Sequence, residues 1–194
     1  MKKDFEFCFK GARDYVHGTD IYTAITKSFS QDIDGGIDLS FHGIARKNLT
    51  MSDLKPEDEA LIKSVVKYRA KDGSKKVFYG VENAESIFCN YAYEEEKITQ
   101  ASSIDLEKKS IVLEKQSEFS FIEEIVAMNK ELLLTLFPDQ KGKWYFTRLQ
   151  IASSVEKTLY PLELEFRSNF QFKLTKTEIF MNKKSLGYIY FSLI

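Results

Sequence analysis

Hydrophobic and polar positions in the first half of the chain follow three short patterns in a row. Alternating aromatic residues predict a strand at residues 5–9, and apolar residues at helical spacing predict a helix at about 20–29. A polar turn is expected at 31–36. Period-two alternation then predicts a half-buried strand at 37–44.

The second half of the chain repeats this order of elements. A strand is predicted at 110–114 and a strongly apolar helix at about 121–137. Three long alternating strands follow at 143–153, 162–176 and 179–193. A break is expected near Ser168 in the second of these, and a turn at 182–184 in the third. Such a helix needs cover on nearly all sides, so the strands are expected to wrap around it.

The segment between the two halves predicts smaller elements. Residues 57–69 predict a short helix followed by a strand, and two strands are expected at 77–81 and 87–93. The charged run at 94–97, continued by polar residues to 103, is typical of a linker.

The two halves share a pattern of elements and almost no residues, which is weaker evidence than a sequence repeat. We predict an α+β protein with one unit at 1–97 and a second at 103–194, packed as one pseudo-symmetric domain. Each unit is expected to wrap an antiparallel sheet around one apolar helix.

Composition narrows the classes of partner. A hydrophobic fraction of 43% is enough for a globular interior. The 28 basic and 29 acidic residues leave a net charge of −1, so no overall field would attract nucleic acid. No run reaches the roughly 20 apolar residues that a membrane span requires.

Two cysteines, Cys8 and Cys89, lie in apolar, strand-like stretches, and no secretory signal is visible at the start of the chain. We therefore expect reduced, structural thiols in a cytoplasmic protein, although an even count can also form one disulfide. With His17 and His42 as the two histidines, no zinc-ligand spacing is present, and no metal is predicted.

Candidate chemistry is concentrated where the first helix begins. His17 and Asp20 form an imidazole and carboxylate pair that suits a general base. Gly18 and the free amides of the helix N-terminus could hold a carbonyl oxygen. The structural alternative, which we favour, makes His17 a loop residue and Thr19 or Asp20 the helix N-cap.

The order of elements, together with the segment Gly11–Tyr22, resembles the hot-dog superfamily, which includes 3-hydroxyacyl-thioester dehydratases and acyl-CoA hydratases. The chain is similar to a flagella-associated, acyl-CoA-binding-like hot-dog protein of bacteria that lacks an obvious active site. The resemblance implies a tandem, double hot-dog fold, a homodimer and no cofactor. It also implies an acyl-CoA or acyl carrier protein thioester as ligand. The His-Phe-Pro-Gly loop of the dehydratases and the hydratase motif of Asp, Asn-Pro and His are both absent.

The resemblance also implies a set of binding residues. Three groups are expected: cations for coenzyme A phosphates, a loop at the thioester end, and an apolar wall for the acyl chain. These are, in turn, Arg13, Arg46 and Lys47; Tyr15, Gly18 and Thr19; and Ile125, Met128 and Leu132.

We therefore predict an acyl-thioester binding protein with a regulatory role and little or no catalysis. One alternative is a hydratase, dehydratase or thioesterase that uses His17 and Asp20. Another is a β-rich protein interaction module that meets its partner through exposed strand edges.

Overall fold

Antiparallel sheets with few helices make up both halves of the chain, as the sequence predicts for an α+β protein. The structure is a computed structural model that describes residues 1–155 and 157–194. The chain divides into two compact units, Met1–Tyr93 and Glu94–Ile194.

Unit 1 has five strands in one antiparallel sheet and two in a separate parallel pair. Its elements are β1 (Lys2–Phe5), β2 (Phe9–Lys10), α1 (Gly18–Ser28), β3 (Ile33–Phe41), β4 (Lys47–Ser52), a 3-10 helix (Glu59–Leu61), β5 (Ile62–Ala70), β6 (Lys75–Ser86) and β7 (Asn90–Tyr91). The sheet order is β1-β4-β6-β5-β3. β2 pairs with β7 in parallel.

The core of unit 1 follows from its periodicities. α1 buries Ile21, Tyr22 and Ile25 as one apolar stripe, which confirms the helical prediction. β3 buries Ile37 and Leu39 on one face, as its alternation predicts. The 3-10 helix followed by β5 confirms the short helix and strand predicted at 57–69.

Unit 2 combines a six-stranded antiparallel sheet with one long helix. Its elements are α2 (Glu96–Gln100), β8 (Ser102–Asp105), β9 (Ser110–Leu113), α3 (Phe121–Leu136), β10 (Trp144–Ile151), β11 (Leu162–Phe170), β12 (Leu174–Met181) and β13 (Lys184–Leu193). The sheet order is β10-β13-β12-β11-β9-β8.

α3 is the centre of unit 2. Ser120 and Glu123 form a reciprocal capping box at its start, so two of the amides that a helix leaves unpaired are satisfied. Ten of its residues are buried, and it contacts β9, β11 and β13. The prediction of a strongly apolar helix packed against the strands is confirmed.

Two predictions in the first half need correction, and one strand was not predicted. The aromatic stretch at 5–9 is interrupted, because β1 ends at Phe5 and β2 begins at Phe9. β3 begins within the predicted turn at 31–36, because Ile33 is buried and pairs with β5. The sequence pattern does not predict β4, because its buried residues run consecutively instead of alternating.

The predicted linker after unit 1 contains regular structure. α2 occupies residues 96–100, and β8 begins at Ser102. Ile98 is completely buried, so this one apolar side chain anchors the charged segment in unit 2. The density of charged residues alone does not predict such a buried side chain.

The predicted strand at 162–176 is two strands. The break expected near Ser168 is a β-bulge between Phe166 and Ser168, and pairing with β12 continues past it. The turn follows at 171–173, where Gln171 has a positive φ. The sequence therefore predicts the irregularity near Ser168 but does not distinguish a bulge within the strand from the end of the strand.

Cys8 and Cys89 are joined by a disulfide bond with a sequence separation of 81 residues, which corrects the prediction of two reduced thiols. The two residues belong to neighbouring stretches, because Cys8 precedes β2 and Cys89 precedes its partner β7. Parallel pairing brings these positions together, and the sequence contains no signal for that pairing.

The double substitution of Cys8 and Cys89 by serine is expected to lower the free energy of unfolding by roughly 2 kcal/mol, because the bond restricts the unfolded chain over a long loop. Urea unfolding of the variant and of the unreduced protein measures this difference. Equal midpoints and slopes would show that the bond does not contribute to stability.

Candidate functional site

A completely buried lysine lies beside the first turn of α1. Lys10 is 0% exposed, and its Nζ donates to Thr19 Oγ1 at 2.9 Å and to Asp20 Oδ1 at 3.3 Å. The Tyr91 hydroxyl donates to the same Asp20 oxygen at 2.8 Å. The Tyr93 ring centroid lies 4.2 Å from the ammonium. The buried charge is therefore compensated by a carboxylate and an aromatic face.

His17 joins this cluster through Thr19. Its Nδ1 lies 2.8 Å from Thr19 Oγ1, and its ring is 8% exposed. The rings of Tyr15 and Tyr93 each have their centroid 6.4 Å from that of His17. The predicted pair of His17 and Asp20 is thus linked through a threonine hydroxyl.

The predicted helix cap needs correction. α1 begins at Gly18, and the extended residue His17 occupies the N-cap position without a side-chain capping bond. The sequence predicts Thr19 or Asp20 there. Both lie within the first turn, where their side chains bind Lys10.

One acceptor in the cluster has no partner. Asp20 Oδ2 is buried and accepts no hydrogen bond from any residue that the structure describes. The carboxylate as a whole is 18% exposed, so it lies at the edge of the buried cluster. A buried acceptor that lacks a donor costs free energy, which a ligand with an N–H or O–H group would recover.

Basic side chains lie on the loop that leads to this cluster. Arg13 donates from Nη1 to the Lys10 carbonyl at 3.2 Å. Val16 N donates to the Ala45 carbonyl at 2.8 Å, which holds the next loop against this one. The exposed Arg46 then reaches Asp14, with Nε 3.4 Å from Oδ2. Arg13, Asp14 and Arg46 are called the basic rim below.

The remaining predicted residues lie elsewhere. Lys47 begins β4 as an exposed residue, and its backbone amide donates to Glu82 Oε1 at 3.3 Å. Ile125, Met128 and Leu132 lie on α3 in unit 2 and are 0% exposed. Any acyl chain that contacts them must enter a closely packed interior.

Unit 2 holds a second buried polar cluster, around Glu124. This residue is 0% exposed, and its Oε1 accepts from the Tyr160 hydroxyl at 2.7 Å and from the Ser117 hydroxyl at 2.8 Å. Its Oε2 has no partner among the described residues, and neither amide atom of the buried Asn129 has one. Burial raises the pKa of Glu124 above its ordinary value, and the bonds from Tyr160 and Ser117 oppose this effect.

The sequence does not predict Lys10, the central residue of the unit 1 cluster, as a site residue. Lys10 reads as an ordinary surface cation, although it precedes a glycine loop and lies ten residues from the Asp20 carboxylate. From the sequence, Glu124 is, with Glu123, a candidate carboxylate partner for His17, but its burial is not predicted. Its spacing to Phe121 and Met128, which are both buried, places it on an inward face and could have revealed it.

Glu124→Gln is expected to remove a specific dependence of stability on pH. The native carboxyl has a pKa above the ordinary 4.5, so the folded state binds its proton more tightly than the unfolded state. Its contribution is present below pH 4.5 and is lost as the pH rises through the raised value. Glutamine cannot ionise, so the variant should lose less stability between pH 4.5 and 8.

Urea unfolding at several pH values measures this difference, with Glu123→Gln as the control on the neighbouring, capping-box residue. If the wild-type protein and Glu124→Gln change in parallel with pH, the carboxyl does not retain its proton.

In the part of the chain that the structure describes, no group of three or more His, Cys, Asp or Glu residues could hold a metal ion. No helix among the described residues is long and apolar enough to cross a membrane.

No protein-family model matches the sequence, and no curated protein matches it either. Solved structures, in contrast, do match this chain. The dehydratase domain of PpsC from Mycobacterium tuberculosis, in complex with C12:1-CoA, is 8% identical and has a TM-score of 0.50, over 100% of this chain and 92% of that one.

An acyl-ACP thioesterase from Bacteroides thetaiotaomicron is 10% identical, with a TM-score of 0.44 over 99% of this chain and 97% of that one. The flagella-associated part of the resemblance stays a prediction. The chain has the fold of the hot-dog superfamily.

Proposed function

We propose that this protein binds acyl thioesters of coenzyme A or acyl carrier protein, with little or no catalysis and a regulatory role. The two units would be the repeats of a tandem, double hot-dog. The observation that carries the proposal is the buried, unpaired Oδ2 of Asp20 beside the first turn of α1. The pantetheine arm of either carrier has amide N–H groups that can donate to such an oxygen.

The same cluster argues against a general base. Asp20 Oδ1 already accepts from Lys10 and from the Tyr91 hydroxyl. Proton abstraction by this carboxylate would leave the buried ammonium of Lys10 without its counter-charge, which is costly. His17 Nδ1 is engaged by Thr19. The cluster therefore offers polar groups that can recognise a ligand, while Lys10 neutralises the negative charge of Asp20.

The basic rim supports a phosphorylated ligand. Arg46 is exposed and lies near the first loop through its contact with Asp14. A diphosphate that approached this loop would compete with the Asp14 carboxylate for the guanidinium, and arginine binds phosphate oxygens well. Lys47, which follows Arg46 in the chain, adds a second exposed cation.

The fold supports an acyl ligand, since the similar domain of PpsC binds C12:1-CoA. Each buried methylene would contribute about 0.8 kcal/mol. The acyl chain would lie along α3 beside Ile125, Met128 and Leu132. Because these side chains are fully buried, binding must open the interior of unit 2. We also propose a homodimer in the cytoplasm, as the resemblance implies.

A second candidate is an enzyme of the hydratase, dehydratase or thioesterase class. Glu124 favours it, because a buried carboxyl with a raised pKa can serve as a general acid. Tyr160, whose pKa burial raises to about 12, keeps its proton and can hold that carboxyl in place. In this case Glu124 would act in place of His17 and Asp20.

Two assays on the purified protein separate these candidates. Calorimetric titration with acyl-CoA measures binding, and release of free thiol or hydration of an enoyl-CoA measures turnover. The proposal predicts saturable binding without turnover in the wild-type protein and in His17→Ala. Turnover that falls at least about tenfold in Glu124→Gln or His17→Ala would identify an enzyme instead.

Arg46→Ala is expected to weaken acyl-CoA binding about fivefold, since an exposed charged contact contributes about 1 kcal/mol. It should leave binding of the matching acyl-pantetheine unchanged, because that ligand lacks the nucleotide phosphates. Lys108→Ala, which removes an exposed cation from the β8–β9 turn, is the matched control. A loss of equal size for both ligands would place the phosphates elsewhere.

A further inference from the structure

The disulfide fixes one short segment over the polar cluster of unit 1. Residues 87–93, called the covering segment below, follow β6 and include β7. Cys89 in this segment is bonded to Cys8. Two backbone bonds continue the attachment, from Phe9 N to the Cys89 carbonyl at 2.9 Å and from Gly11 N to the Tyr91 carbonyl at 2.8 Å.

The covering segment contributes two tyrosines to the cluster. The Tyr91 hydroxyl binds Asp20, and the Tyr93 ring lies over the Lys10 ammonium. Beneath them Lys10 and Thr19 are 0% exposed. A ligand can reach these groups only after the covering segment moves, because both tyrosines contact the same side chains that would recognise it.

The disulfide is accessible on its outer side. Cys89 is exposed and Cys8 is half-buried. The bond lies in a groove of about 500 Å³ lined by Phe7, Ile87 and Phe88, among others. Phe88, next to Cys89 in the chain, is 95% exposed. A reductant can therefore approach the Cys89 sulfur without prior unfolding of unit 1.

We propose that the Cys8–Cys89 bond is a thiol–disulfide exchange site at which a dithiol reductant controls access to the Lys10 and Asp20 cluster. A thiolate of the dithiol attacks Cys89 Sγ, the Cys8–Cys89 bond breaks, and the Cys8 thiolate takes up a proton. The second thiol of the reductant then breaks the mixed disulfide. Two cysteine thiols and one oxidised dithiol result, with two electrons and two protons supplied by the reductant.

Reduction leaves the covering segment weakly attached. β2 and β7 are two residues each and form an isolated parallel pair, and a two-stranded pair alone is marginal in water. The side-chain contacts that remain include the bond between Tyr91 and Asp20 and the contact of the Tyr93 ring with the Lys10 ammonium. A ligand donor at Asp20 can replace the first of these. The reduced protein is therefore the binding-competent form, as suits a reducing cytoplasm. What the opened cluster binds rests on the proposed function.

Hydrogen exchange tests the opening separately from the ligand. The wild-type protein is compared with and without dithiothreitol, beside the Cys8→Ser, Cys89→Ser double variant. The amides of Phe9 and Gly11 should exchange at least about tenfold faster in the reduced and double-variant forms. Amides of β5 should keep their protection. No change at Phe9 and Gly11, or loss of protection throughout β5, would overturn the switch.

Titration with acyl-CoA then tests access. Reduction is expected to tighten binding about tenfold, because it raises the fraction of open molecules. Equal affinity in both redox states would overturn the control of access. Faster exchange without acyl-CoA binding in either state would support the opening and refute the proposed ligand.

Tyr91→Phe gives an independent variant that keeps the disulfide. It removes the hydroxyl that binds Asp20, so oxidised Tyr91→Phe should exchange faster at Gly11 than oxidised wild-type protein. Unchanged exchange at Gly11 would show that Tyr91 does not hold the covering segment down.

Discussion

Asp20→Asn is expected to lower the free energy of unfolding by about 3 kcal/mol, because it leaves the buried ammonium of Lys10 without a counter-charge. Lys10 is completely buried, and Asp20 Oδ1 lies 3.3 Å from its Nζ. Asparagine has nearly the same size, so packing changes little and the loss reports the charge. Urea unfolding followed by circular dichroism measures it.

The double variant Lys10→Met, Asp20→Asn is the control. Methionine fills a similar volume and needs no counter-charge, so the double variant should be more stable than Asp20→Asn alone. A single variant that costs less than about 1 kcal/mol would contradict the account of Lys10, since exposed ion pairs contribute only that much. Asp20→Asn also replaces one carboxylate oxygen, an acceptor, by an NH2 group, which is a donor. It should therefore weaken acyl-CoA binding.

Leu132→Ala is expected to lower the free energy of unfolding by about 3 to 5 kcal/mol. Leu132 is 0% exposed on a helix that contacts β9, β11 and β13, so the lost side chain leaves a cavity that the surrounding sheet cannot easily close. If the acyl chain lies along α3, this cavity should also shift binding toward longer chains. Chemical unfolding and a chain-length series measure the two effects.

Met128→Leu is the matched control on the same helix, because it keeps the volume and should cost less than about 1.5 kcal/mol. Should Leu132→Ala lose stability without any change in chain-length preference, the acyl chain does not lie beside Leu132.

The helices α1 and α3 and much of the sheet could be predicted because their apolar positions are periodic. α3 is the clearest case, since its capping box and its ring of buried residues are both local in sequence. The pattern did not predict β4, because its buried residues do not alternate with exposed ones. It did not predict α2 either, because the helix buries the single residue Ile98 in an otherwise charged segment. A periodic pattern reflects the average environment of an element and does not reveal a single buried residue within a polar segment.

The candidate site was only partly predictable. His17, Thr19 and Asp20 are neighbours in sequence, and the structure keeps them together. Tyr91 and Tyr93 come from more than 70 residues away, through the parallel pairing of β2 with β7 and the disulfide. No pattern in a single sequence specifies such a pairing. The burial of Lys10 could not be predicted for the same reason, since Tyr91 and Tyr93, whose rings lie near its ammonium, are distant in the chain.

Native mass spectrometry of the reduced protein, titrated with a series of acyl-CoAs, tests the central claim most directly. The account predicts one saturable complex whose bound ligand keeps the full mass of the acyl-CoA, with tighter binding of longer chains. Absence of a complex at high micromolar ligand would contradict binding. A bound or released ligand that has gained one water, or has lost its acyl group, would contradict the absence of catalysis.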